Sequence, residues 1–82
     1  MLKGVIIGNI VSTRKQDSLV GSKFMEVQLI RAGKLTDEYI VAIDSVGAGI
    51  GETVLITTGS SARLALTNKE APTDAVIVGI VD

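Results

Sequence analysis

The sequence predicts an all-β protein, a small five-stranded closed β-barrel of the OB-like kind carrying one short helix. Three observations point there. Short runs rich in β-branched residues recur along the chain, separated by Gly, Ser and Asp punctuation. Only one segment suits a helix, for one to two turns. The first and last runs are apolar on both faces, which a one-sided sheet does not require. A chain of 82 residues forms one domain, 1–82, and buries only about 60–65% of the surface its unfolded form exposes. Closing the sheet on itself removes its edges and fills the lumen with alternate side chains.

Residues 2–14 read as one long, curved strand, with Gly4 and Gly8 where it would bend or bulge. Alternation puts Ile6 and Ile10 on one face and Val5, Ile7 and Val11 on the other. Residues 14–22 form a polar loop, in which Asp17-Ser18 and Gly21-Ser22 supply turn chemistry. The basic residues beside it, Arg14, Lys15 and Lys23, read as a solvated face. Residues 23–31 alternate cleanly, Met25, Val27 and Leu29 against Glu26 and Gln28, the pattern of a half-buried strand. Residues 32–37 contain Gly33 and charges suited to a hairpin loop, and 38–43 resume an antiparallel strand with Tyr39, Val41 and Ile43 on one face.

Gly47, Gly49 and Gly51 then stand at alternate positions between two β-type runs. Glycine there permits positive φ or close approach of another chain. The fourth strand is 53–58, with Val54 and Ile56 opposite Leu55 and Thr57. After Gly59, Ser60 or Ser61 caps a short helix through Arg63 to Leu66, which Asn68 ends. Pro72 lies in the next loop, and 75–81 form a final strand, apolar on both faces around Gly79.

The composition narrows the function. Eight basic and nine acidic residues give a net charge of −1, so no field attracts nucleic acid or an anionic membrane. No apolar stretch reaches the ~18 residues of a membrane span, no small-residue cleavage site follows the first strand, and a cytoplasmic protein is expected. Without Cys or His, the chain lacks thiolate chemistry and the commonest metal ligand and general base. The triple-glycine stretch is not a dinucleotide loop, because that fingerprint sets its third glycine one position later and opens a helix. Ser60 and Ser61 have no visible activating base and read as caps. Asp44, Glu52, Asp74 and Asp82 sit at strand ends, where carboxylates cap turns, and form no clustered metal loop. No catalytic residue, cofactor or metal is expected.

Yet 46% of the residues are hydrophobic, with a mean hydropathy of +0.46. That is more aliphatic surface than a small monomer easily hides, so the outer faces of the terminal strands are expected to pack on identical subunits.

Four blocks in order, Gly8 to Thr13 with Leu19, Gly21 and Lys23, then Val41 to Glu52, Gly59 to Arg63, and Asp74 to Asp82, make the chain resemble the EutN/CcmL family over essentially its whole length. These are the pentameric vertex proteins of bacterial microcompartments. The resemblance implies a barrel assembled with five-fold symmetry around a narrow axial channel. It also implies a tile that introduces curvature at the corners of a shell built from hexameric and trimeric proteins, confining an enzyme cargo. Many members continue beyond the position of Asp82, so tail-dependent contacts are not expected of these residues. With the apolar terminal strands, the resemblance makes Asp44, Gly47, Gly49, Gly51, Ser60, Ser61, Arg63 and Gly79 the candidates for subunit interfaces. The competing expectation is an OB-like nucleic-acid or small-ligand module. Its case is poor, because single-strand binders stack bases on aromatics beside a basic groove, and this chain has only Phe24 and Tyr39.

Overall fold

The computed structural model describes residues 1–12, 15–66 and 73–82. Its elements are β1 (Leu2–Ile10), a 3-10 turn (Asp17–Leu19), β2 (Phe24–Arg31), β3 (Lys34–Asp44), β4 (Thr53–Thr58), α1 (Ser60–Leu64) and β5 (Ala75–Ile80). The strands close into a barrel in the order β1-β2-β3-β5-β4, with β4 returning to β1. Neighbours are antiparallel except β3 and β5, which run parallel and share only the pairs Ile43↔Val76 and Asp44↔Ile77. Register shifts at Ile6/Gly8, Gln28/Ile30 and Leu55/Ile56 supply the local twist that lets five strands coil into a closed wall.

The lumen is filled as the alternation of β2 and β4 predicts. Met25, Val27 and Leu29 meet Val54 and Ile56, joined by Ile6, Ala42, Ala48, Ala75 and Ile77. Gly4 of β1 is what lets the wall close over Val27. A β-carbon there would stand 2.5 Å from Val27 Cγ1 and 2.7 Å from the Gln28 carbonyl oxygen, inside van der Waals contact with both.

A second, smaller cluster lies on the other side of the wall. Ile43, Ala62 and Val76 are buried there, with Leu19, Phe24, Leu66 and Val78 packed against them. One-turn α1 therefore covers the outer faces of β3 and β5. The apolar outer side of β5 at Val76 is satisfied within the chain, where the sequence reading gave that task to other subunits. A five-residue helix suffices because it drops one small side chain, Ala62, onto a seam only two rungs long.

Three boundaries differ from expectation. β3 starts at Lys34, so the hairpin loop is only Ala32-Gly33, with Arg31 paired to Lys34. The charges at 34, 37 and 38 look like loop residues, but exposed side chains leave the backbone free to pair. The face bearing Tyr39 and Val41 points outward, with 50% and 49% exposure, while Ile40 and Ala42 take the lumen side. β1 ends at Ile10 within the described residues, and β5 ends at Ile80, although the Val81 amide still donates to the Thr53 carbonyl at 2.8 Å. The expected roles of Asn68 and Pro72 lie outside the described residues.

Candidate functional site

The stretch 45–52, between β3 and β4, is a built structure. Asp44, the last residue of β3, turns its carboxylate into the loop that follows. Oδ1 accepts the Val46 amide and Oδ2 the Ala48 amide, each at 3.0 Å, a side-chain mimic of a backbone turn. Its side chain is only 3% exposed and faces the Lys23 ammonium at 3.7 Å. Lys23 Nζ also donates to the Ala48 carbonyl at 3.0 Å, so one cation ties both carboxylate and loop to the start of β2. Ala48 is thereby pressed into the lumen cluster.

The far end of the loop is held by Glu52. Its Oε1 accepts the Gly49 amide at 2.7 Å, and its own amide donates to the Gly49 carbonyl at 3.2 Å. Gly51, with φ of +90°, takes the third position of this turn, which favours glycine. The Gly51 amide donates to the Ile6 carbonyl at 2.8 Å, and the Ile6 amide donates to the Glu52 carbonyl at 3.0 Å. Two loop residues thus oppose one residue of β1, a glycine bulge that starts β4 in register. Gly47 also has a positive φ, +80°, whereas Gly49 does not, and a β-carbon on Gly49 would meet only Glu52 Oε1, at an ordinary 3.5 Å.

The sequence-predicted residues therefore divide. Asp44, Gly47 and Gly51 have work inside the protomer, while Gly49 has none that demands glycine. Gly79 is in the same position, since an added β-carbon would make normal contact with Leu55, nearest at 3.6 Å. Ser60 is the first residue of α1, and the Gly59 carbonyl accepts the Ala62 amide at 3.1 Å, so Gly59 stands where a cap would. Ser61 and Arg63 lie in α1; the roles expected of their side chains fall outside what the structure describes. Residues 44–52 come together through hydrogen bonds, and Gly79 lies on the outside of the wall beside Leu55.

The sequence reading put Lys23 on a solvated face, whereas it binds the Ala48 carbonyl and faces Asp44, and it gave Ala48 no role in the core. Asp followed by turn residues signals an Asx-type turn, but nothing local couples Lys23 to a carboxylate 21 residues later.

Among the described residues no group of three potential metal ligands gathers, and no helix is long and apolar enough to cross a membrane. On the β2–β3 hairpin, Arg31 holds Glu38 through two hydrogen bonds, 3.0 and 3.2 Å. That bond, and then the charge of Glu38, raise the Arg31 pKa. Fully solvated pairs of this sort contribute little to stability.

A family model described as "Ethanolamine utilisation protein EutN/carboxysome" matches residues 1–82. The chain is 46% identical over 80 residues to the carboxysome shell vertex protein CcmL of Gloeobacter violaceus, covering 96% of this chain and 80% of that protein. It is 43% identical over 83 residues to the bacterial microcompartment shell vertex protein EutN of Salmonella typhimurium, covering 100% and 84%. Among solved structures, CcmL of Gloeobacter violaceus superposes with a TM-score of 0.95 at 44% identity, covering 100% of this chain and 86% of that one. The GrpN pentameric microcompartment shell protein of Rhodospirillum rubrum superposes at 0.90 with 41% identity, covering 100% and 94%.

Proposed function

The chain belongs to the EutN/CcmL family, and from that premise we propose that it caps the five-fold corners of a microcompartment shell as a homopentamer. It is a structural shell vertex protein, a member of the shell itself. The observation that carries this reading is the match of the entire barrel, end to end, to proteins named for that role. Tiles of six-fold symmetry alone make flat sheets, and five-fold units supply the curvature that closes a polyhedron. The pentamer meets hexameric and trimeric shell proteins along its rim, within the cytoplasm, and performs no catalysis.

Assembly is also the role we assign to Gly49 and Gly79, whose lack of a side chain the protomer does not explain, and to Ser60, Ser61 and Arg63 of α1. Asp44, Gly47 and Gly51 serve assembly indirectly, by fixing the loop that carries Gly49. Nucleic-acid binding has no observation in its favour: Phe24 packs in the cluster beneath α1, leaving Tyr39 as the one exposed ring.

Native mass spectrometry of the purified protein is expected to show five copies. Removal of the protein from its host is expected to leave shells with open corners or elongated forms. Sealed, regular shells in its absence would overturn the vertex role.

A further inference from the structure

Ile50 occupies an odd place. It stands at the second position of the Gly49–Glu52 turn, flanked by two glycines, and is 62% exposed. That corner suits proline or a polar residue. A stiff β-branched side chain gains nothing from the protomer there. Because β1 and β4 run antiparallel, the two hydrogen bonds linking Ile6 to Gly51 and Glu52 place residue 7 and residue 50 one step beyond that rung, toward the same end of the ladder. Ile7 is the residue pushed out by the β1 bulge, and it is 41% exposed. Two exposed isoleucines thus mark one end of the β1–β4 ladder, and the bare backbone of Gly49 and Gly8 lies beside them. Neither glycine has a positive φ; Gly8 has open space where a β-carbon would go, and Gly49 has room for one.

The loop beneath Ile50 is stiffened from inside by Asp44, Glu52 and Lys23. A rigid, preorganised apolar projection loses little freedom on docking. We propose that the Ile7–Ile50 patch is the surface with which each protomer seats on the next copy of this chain. The proposal rests on the homopentamer reading and specifies which surface makes it.

Area supports a second copy as the occupant. A standard interface takes about 800 Å² from each partner, and a ring member has two. About a third of the protomer's 5052 Å² is then covered, and the exposed aliphatic side chains of Ile7, Ile50, Val41 and Leu55 are apolar surface available for it. Symmetry adds a constraint. Self-complementary contacts generate pairs, so a five-membered ring needs head-to-tail contacts. The Ile7–Ile50 patch therefore meets a different face of the neighbour.

Ile50→Asp, alone and with Ile7→Asp, tests this by native mass spectrometry across protein concentration, with circular dichroism to follow the fold. The expected result is a folded barrel whose half-assembly concentration rises at least tenfold, with Ile50→Leu close to wild type. A labelling readout avoids any charge at the corner. The chain has no cysteine, so Ile50→Cys introduces a single thiol, expected to react with maleimide at least tenfold more slowly in the assembled protein than after dissociation. A wild-type pentamer with undiminished Ile50→Asp assembly, or equal labelling in both states, would overturn the patch and leave the pentamer standing. A wild type that does not form pentamers would overturn both.

Discussion

Gly4 and Gly49 look interchangeable in the sequence, each followed directly by a β-branched apolar residue, Val5 or Ile50, but they do opposite things. At Gly4 the constraint is internal: Val27 and the β2 backbone occupy the space a side chain would need. At Gly49 a β-carbon would make only an ordinary contact with Glu52 Oε1, at 3.5 Å, and the backbone does not have the positive φ that favours glycine. The barrel wall is specified by its own packing, whereas the loop is held by carboxylate acceptors and leaves its outer surface unused. A protomer that spends two carboxylates and a lysine on fixing an exposed loop has placed that loop for something outside itself.

The largest expected effect is at the wall. Gly4→Ala forces β1 and β2 apart, and overpacking of a tight core costs about 1–3 kcal/mol, a large share of the stability of so small a domain. Urea unfolding by circular dichroism checks it, and a midpoint equal to wild type would erase the distinction. Next comes the loop's internal clamp. Asp44→Ala leaves the Val46 and Ala48 amides without their acceptor and removes the carboxylate facing Lys23, at a cost of about 2 kcal/mol, and frees residues 45–48 to exchange their amide protons. Hydrogen exchange that stays protected there would mean that the glycines alone hold the loop. The smallest effect on folding sharpens the comparison most. Gly49→Ala should change protomer stability by less than about 0.5 kcal/mol and yet weaken assembly. A loss of stability in the dissociated protein would return Gly49 to the same class as Gly4.

Much of this was legible from residue patterns. β4 falls at 53–58 as expected, and the alternation of Met25, Val27 and Leu29 marks the lumen face correctly. Those readings work because a strand's period-two burial is written locally. The outward face of Tyr39 and Val41 was not readable, because residues 39–43 are apolar on both faces and only the neighbouring strands decide which one turns in. The internal work of Asp44 was half legible: a turn-capping carboxylate is a local signal, and its pairing with Lys23 is not.

The sequence by itself determined the strands, the turn residues and, through four blocks in order, the family, since each of these depends on residues close together in the chain. Only the tertiary structure decided the parallel closure of β3 on β5, the covering of Ile43 and Val76 by Ala62, and which glycines the protomer needs. Each of those turns on what stands across a gap of a few ångströms, and residues far apart in sequence fill that gap.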